Sequence, residues 1–464
     1  MLPRTTRPAA AVSAVAAIAL ALTACGSGAP EERESDGSLL VWSLEVQPDR
    51  VAATQAELDT FSEQTGIEVE LVPVEEAQVS QLISAAALSD EMPDVIGSVS
   101  LGLVRTFDGD EYLNHDAAAA VIENLGADTW EDGALTLTQE DGEQLSVPSD
   151  AWGQILVYRT DLFEAAGLEP PTTYESLLTA AQTLTEGSQY GITLATDASD
   201  PFTQQTLEAL ALGNNCQLVN DAGEPTLDSP ECAATIELYG QLAAEYSPAG
   251  TQTVDTTRAS YFSGQSAMTI WSTFLLDELA GLRNDAAPSC PECTEPGWLA
   301  QNTGIVPLVT GPDAAGNAGS YGEMTSWVIT SSAAADDSQQ LVEFMMSDGY
   351  PGWFGMAPEG KFPVRAGTAD DPSVYIDTWA TLPTGVDEKL PLSQVYPAET
   401  ITTIMEVPAN IHRWAIPQGH GAVLGPLTAE LPLAKTIADL SSGSIDAATA
   451  QQQMQEAATE IAER

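Results

Sequence analysis

The sequence predicts an α/β protein of more than one domain, on three observations. Apolar runs in its opening hundred residues alternate strand, helix, strand, helix, strand, an order that implies parallel strands joined by right-handed crossovers. The chain has 464 residues, room for two or three domains. At 44% hydrophobic and 18% charged residues it can bury a core, which excludes wholesale disorder. No repeat with a period of about 20–50 residues is present, so a solenoid is excluded too.

Leu39–Ser43 is a short apolar run with Val and Trp and reads as a buried strand. Asp49–Gln64 reads as a helix because Val51, Leu58 and Phe61 fall at helical spacing, and Gly66 occupies the left-handed stop position. Ile67–Val74 alternates as the second strand, Gln78–Leu88 is the next helix, and Asp94–Ile96 the third strand. A second block opens near Leu145, with strands Leu145–Val147 and Ile155–Arg159 and a helix Asp161–Ala166 stopped by Gly167. After Pro170-Pro171 comes a helix over Tyr174–Thr185. Further helices are predicted over Thr203–Leu212, Ala233–Glu245, Phe274–Leu282 and Ala447–Ala462, and strands over Met268–Trp271, Ile305–Val309 and Ser326–Ile329.

The charge narrows the partners. Asp and Glu number 68 against 14 Lys and Arg, a formal charge of −54. Such a surface repels phosphate backbones and anionic headgroups, which excludes nucleic-acid binding and disfavours a strongly anionic ligand. The lysines are Lys361, Lys389 and Lys435, and the acids are spread throughout, so the imbalance is a global surface property. Two readings fit it: adaptation to high salt, where screening weakens self-repulsion, and the acidic bias of an extracytoplasmic protein from a GC-rich genome.

Arg4 and Arg7 precede the apolar run Ala9–Leu22, the positive and apolar regions of an export signal. The run is shorter than the about 20 apolar residues of a spanning helix. It ends in Leu22-Thr23-Ala24-Cys25-Gly26, which resembles a bacterial lipobox. That resemblance implies a lipoprotein signal peptide over residues 1–24 and lipidation of Cys25 by palmitate-type acyl chains. The alternative is an ordinary secretory signal with a chance cysteine. Residues 25–37, which include the polar stretch Ser27–Gly37, read as a flexible tether. Removing Arg4 and Arg7 leaves 12 basic against 68 acidic residues, or −56. The expected location is the cell membrane, lipid-anchored on its extracytoplasmic face.

Outside the cytosol, Cys216, Cys232, Cys290 and Cys293 favour disulfides. Joining Cys216 to Cys232 closes a loop of about 15 residues, worth about 3 kcal/mol, and leaves Cys290-Pro-Glu-Cys293 as a tight ring. A redox pair and a four-cysteine zinc site are the other readings. The redox motif normally opens a helix after a strand, whereas this one lies among Pro288, Pro291 and Pro296.

Several separated segments together carry a family resemblance. Leu40-Val41-Trp42-Ser43 followed by Phe61–Val69 resembles the opening strand, helix and second strand of bacterial extracellular solute-binding lipoproteins of ABC importers, in particular the maltose- and oligosaccharide-binding branch. Met92-Pro93-Asp94-Val95, Val147-Pro148, Ile155–Leu168, Pro170–Tyr174 and Phe262–Met268 are similar to further segments of that family in the same order. Arg159 stands where the family usually has Asn, and Tyr174 where it has Trp. The resemblance implies a two-lobed periplasmic-binding-protein-like fold of the class II type, with hinge segments crossing near Pro148, Pro307 and Phe362–Arg365. It implies an N-terminal lobe of residues 38–148 and 308–363 and a C-terminal lobe of 149–307 and 364–464. Ligand would lie between them, outside the carboxyl ends of the strands, and the lobes would close by hinge motion.

A sugar offers apolar C–H faces and a rim of hydroxyls, so its site needs aromatic plates and hydrogen-bonding side chains. Trp42, Glu45 and Gln47 follow the first strand, and Ser98 follows the third, where some relatives have an aromatic. Asp150 and Trp152 lie at the first crossing. Asp200 and Phe202 precede a helix, in a region that supplies a carboxylate and an aromatic in the maltose-binding relatives. Trp271 and Phe274 end a strand, Tyr321 and Glu323 occupy a loop that is glycine-rich in the family, and Trp353 and Arg365 flank the third crossing. All fourteen are candidate ligand contacts. Core packing is the ordinary fate of a tryptophan, and Trp327 and Trp379 read that way.

The resemblance implies a lipid-anchored monomer that captures a carbohydrate and hands it to ABC permease subunits, with no cofactor and no catalysis. No G-x-S-x-G elbow, H-E-x-x-H or Walker motif is present. His115, His412 and His420 are expected in loops, and a solvated histidine is the ordinary reading of each. Receptors of the same fold for a polyamine or for glycerol-phosphate are the alternatives. A polyamine suits the negative charge, whereas a phosphate wants Arg or Lys clusters. A secreted glycosidase with two carboxylates is the enzymatic alternative, but among 68 acids such a pair carries no specificity.

Overall fold

The computed structural model describes residues 35–314, 316 and 318–463. The signal segment 1–24, Cys25 and the tether up to residue 34 lie outside the described residues. The architecture is organised by a mixed sheet whose strand order is Glu68–Pro73, Ser38–Ser43, Val95–Ser100, Ser320–Ile329, Val147–Arg159 and Phe362–Pro363. The first three strands are parallel. Ser320–Ile329 runs antiparallel to both its neighbours, so the parallel pattern holds for the opening block and not for the whole sheet.

Local signals explain the opening block. The first helix, Pro48–Thr65, begins with proline, which needs no N–H partner there, and ends on Gly66 at φ 81°. It buries Leu58 and Phe61, while Val51 is half-buried. The second helix spans Glu76–Ser89 and so begins before Gln78, bringing Glu76 onto it. The third strand runs to Ser100.

The largest departure concerns residues 145–159. The two predicted strands are one, Val147–Arg159, of 13 residues. Polar Ser149 and Asp150 suggest a break, because unpartnered polar groups are costly inside a sheet, but both find partners that sequence does not reveal. The first half of this strand pairs with Ser320–Ile329 and Phe362–Pro363, and the second half with Met268–Ser272 and Thr303–Val306. The exchange of partners falls between Gly153, opposite Gly322, and Gln154, opposite Ser272. Ser326–Ile329 likewise extends back to Ser320, so Tyr321 and Glu323 lie on a strand rather than in a loop. The helix predicted over Phe274–Leu282 contracts to Leu275–Leu279 ahead of Gly281 at φ 75°.

His115 and His412 are not in loops: His115 opens the helix His115–Leu125, which Asn114 caps, and His412 ends the short strand Ile411–His412. Both disulfides, Cys216–Cys232 and Cys290–Cys293, are formed. The C-terminal helix Ala447–Ala462 packs on Pro230–Glu245 and Pro432–Ser441. Trp327 and Trp379 are core residues. Among the described residues no helix is long and apolar enough to cross a membrane, and no His, Cys, Asp and Glu cluster is arranged to hold a metal.

Candidate functional site

The period of two along a strand puts Tyr321, Glu323 and Thr325 on one face. Asp150 and Trp152, on the neighbouring strand, are in register with Thr325 and Glu323. These five side chains line one wall of a cavity of about 770 Å³. Glu45 enters from the end of the first strand, Ser98 from the third, and Arg50 from the first turn of Pro48–Thr65. Phe274 follows the strand Met268–Ser272, Lys361 precedes Phe362, and Arg413 follows His412. Gln205, on the helix Pro201–Gly213, and the helix Leu424–Glu430 complete the lining.

Three aromatic rings meet there. Trp152 lies 6.1 Å from Phe274 and 5.9 Å from Tyr321, centroid to centroid, both tilted. Phe274 can occupy its position because residue 360 is glycine: a Cβ there would fall 1.9 Å from the ring. Gly360→Ala is therefore expected to displace Phe274 and cost about 1–3 kcal/mol by overpacking. Thermal unfolding reads the cost, and a shift in tryptophan emission reads the changed Trp152 environment.

The charged lining is largely neutralised from within. Glu45 accepts from Lys361 Nζ at 2.6 Å, Arg50 Nη1 at 2.9 Å and Ser98 Oγ at 2.9 Å. Burial by itself raises the Glu45 carboxyl, but the two cations overcome it and bring its pKa down to about 2. Ser98 makes its contact from a left-handed backbone, φ 64°, at a register irregularity between Ile96 and Val99. A non-glycine residue held there marks local strain maintained by its surroundings.

Asp150 is 1% exposed and saturated. Its Oδ1 accepts from Ser149 Oγ at 2.8 Å and Trp353 Nε1 at 2.6 Å, and its Oδ2 from Thr325 Oγ1 at 2.9 Å and Lys361 Nζ at 3.3 Å. Burial lowers the Lys361 pKa, but Asp150 and Glu45 more than restore it. Arg413 donates to Glu323 Oε2 at 2.7 Å and Glu208 Oε1 at 3.3 Å, with its guanidinium 4.7 Å from the Tyr321 ring centre. Glu76 differs: among the described residues no cation pairs with it, and Ser100 Oγ donates to it at 3.2 Å. Burial and the nearby Glu323 and Glu45 raise its pKa.

Of the predicted contacts, the structure brings together Glu45, Ser98, Asp150, Trp152, Phe274, Tyr321 and Glu323 around this cavity. The others lie elsewhere. Trp42 packs in a core cluster with Val79, Ile83, Ile96 and Phe107. Gln47 is exposed at the start of the first helix, without a side-chain cap bond. Asp200 caps the helix Pro201–Gly213 through Phe202 N and also accepts from Val254 N. Phe202 and Trp271 pack on each other at 5.8 Å, and Trp271 Nε1 donates to Val254 O. Trp353 is fully buried behind Asp150. Arg365 is a structural clamp, donating to Thr129 Oγ1, Leu125 O and Met346 O above the Trp130 ring.

Sequence reasoning missed Lys361, Arg413, Arg50, Glu76 and Gln205. Scarcity was the available signal for the cations. In a chain with 14 basic residues each one is conspicuous, yet nothing in sequence separates Lys361, inside the cavity, from Lys389.

A sequence profile described as bacterial extracellular solute-binding protein matches residues 46–350. The chain is 30% identical over 395 residues to the putative ABC transporter periplasmic-binding protein YcjN of Escherichia coli (strain K12), covering 82% of this chain and 86% of that protein. Among solved structures it resembles the cyclic alpha-maltosyl-1,6-maltose binding protein from Arthrobacter globiformis, with TM-score 0.70 at 19% identity over 92% of this chain and 98% of that one. It also resembles the sugar-binding protein MalE from Xanthomonas citri, with TM-score 0.70 at 16% identity over 92% and 97% of the two chains. These likenesses show a two-lobed α/β fold.

Proposed function

The chain belongs to the bacterial extracellular solute-binding protein family, and on that premise we propose that it captures an uncharged oligosaccharide and delivers it to an ABC permease. In this reading it stays at the outer face of the membrane through a lipid on Cys25. The carrying observation is the combination of the Trp152, Phe274 and Tyr321 platform with a charged lining that, Glu76 apart, is already paired. Aromatic faces suit the apolar faces of sugar rings, and three of them offer room for more than one ring. The volume, about 770 Å³, falls within the about 300–1,000 Å³ range of small-ligand sites.

The pairing also ranks the alternatives. Glu45, Asp150 and Glu323 face Lys361, Arg50 and Arg413, so neither a polyamine nor a phosphate finds an uncompensated cluster of opposite charge. A relative named for a cyclic maltosyl-maltose and another named as a sugar-binding protein share the fold, which supports the same choice. Isothermal calorimetry with maltose to maltotetraose, spermidine and glycerol-3-phosphate tests it. Heat of binding with neutral oligosaccharides and no hydrolysed product is expected. Spermidine binding without any sugar response would overturn it. For the anchor, Cys25→Ala is expected to move the protein from the membrane fraction to the medium.

A further inference from the structure

The three parallel strands open their carboxyl ends toward the cavity, the end at which such sheets place ligands. Each delivers polar groups there: Glu45 past Ser38–Ser43, Glu76 past Glu68–Pro73, and Ser98 and Ser100 at the end of Val95–Ser100. The ionisable side chains of the lining are four acids, Glu45, Glu76, Asp150 and Glu323, against three cations, Arg50, Lys361 and Arg413. The cations are already engaged. Arg50 and Lys361 hold Glu45, Lys361 also reaches Asp150, and Arg413 holds Glu323 together with the buried Glu208 outside the lining. One negative charge is left over in the lining, and it falls on Glu76.

The geometry of Glu76 leaves it capacity for a ligand. Ser100 Oγ donates to its Oε1 at 3.2 Å, and no donor among the described residues reaches its Oε2. It stands in the first turn of the helix Glu76–Ser89, whose N-terminal end favours an ionised carboxyl. A carboxylate with an open oxygen accepts hydroxyls in charge-assisted hydrogen bonds and repels a second anion. We propose that Glu76 is the charge selector of this cavity: it accepts hydroxyls of a neutral oligosaccharide and turns away saccharides that carry carboxylate or phosphate groups. The proposal deepens the reading of this cavity as a sugar site and rests on it. A purely local role, in which the acid stabilises the start of its own helix, predicts a change in stability and none in selectivity.

The test uses the full chain near neutral pH and two variants, in two arms. Glu76→Gln removes the charge and keeps the shape, and Glu76→Asp keeps the charge. Both fall on an exposed helix position, so the core is untouched. Calorimetry compares maltotetraose with its uronate, in which primary alcohols are oxidised to carboxylates. Wild type is expected to prefer the neutral sugar. Glu76→Gln is expected to narrow that preference by about tenfold, the scale of one like-charge contact near a protein surface, and Glu76→Asp to retain it. Comparing the ratio between proteins cancels whatever the oxidation itself costs in lost hydroxyl contacts.

The second arm needs no sugar. Trp152 is half-buried in the same lining, so collisional quenchers sample the charge of the cavity at its ring. Its share of the emission is the difference from Trp152→Phe in each background. At fixed ionic strength, Glu76→Gln is expected to raise iodide quenching of Trp152 by about twofold, with quenching by neutral acrylamide unchanged. A neutral-to-acidic affinity ratio within about twofold of wild type in Glu76→Gln, or iodide quenching that does not move, would overturn the charge selector. An absence of heat with both sugars in all three proteins counts against the sugar reading, because the iodide arm still decides whether Glu76 sets the charge of the cavity.

Discussion

Lys361→Met is expected to destabilise the protein by about 3–5 kcal/mol at neutral pH, the usual consequence of removing one partner from a buried ion cluster. Lys361 is 2% exposed, touches Glu45 at 2.6 Å and Asp150 at 3.3 Å, and sits 4.5 Å from the Trp353 ring centre. Methionine keeps the apolar stem over Trp353 but leaves two buried carboxylates facing each other. The pH dependence distinguishes this cause from simple loss of packing. The folded Glu45 pKa of about 2 lies below its ordinary 4.5. Its stabilisation is therefore present above pH 4.5 and is lost as pH falls through 2. The gap between wild type and Lys361→Met should be widest near neutrality and should narrow as acid neutralises Glu45 in the variant. Urea unfolding at pH 7 and pH 3.5 measures it. A gap below about 1 kcal/mol at pH 7, or one independent of pH, would remove the ion cluster as the reason this wall holds together.

Trp152→Ala is expected to weaken oligosaccharide binding by about 2–3 kcal/mol, or about 30–150-fold, the scale of a central aromatic anchor. The ring is half-buried between Phe274 and Tyr321. Its removal should also cost the fold, about 1 kcal/mol for each of the two aromatic pairs lost. Trp152→Phe should recover much of the binding, because it restores an apolar face at the same strand position. Calorimetry with maltotetraose alongside urea unfolding separates the two effects. Retention of affinity within about twofold in Trp152→Ala would mean that the aromatic platform is not where the sugar rests.

The opening of the fold was readable because its signals are local. Pro48 and Gly66 punctuate the first helix, Leu58 and Phe61 bury its inner face, and the flanking strands are short apolar runs. The cysteine pairing was readable from spacing and compartment. The strand Val147–Arg159 was not, because what makes Ser149 and Asp150 tolerable inside it are Thr325, Trp353 and Lys361, all more than 170 residues away in the chain. The candidate site divides in the same way. Trp152, Phe274 and Tyr321 could be nominated as aromatics beside polar residues, but so could Trp271 and Trp353, which are buried in packing. Arg365 was conspicuous as a rare cation and proved to be a clamp on carbonyls. Lys361 and Arg413 were just as rare and lie in the cavity.

Sequence by itself determined the α/β class, the opening parallel block, the disulfide pairs and the excess of negative charge, since each depends on composition or on neighbours close along the chain. Tertiary structure alone decided which acids meet cations and which aromatics face open space rather than core. Those outcomes depend on contacts between residues far apart in the chain: burial raises a carboxyl in both places, but Lys361 with Arg50 outweighs it at Glu45 and no such cation among the described residues does so at Glu76.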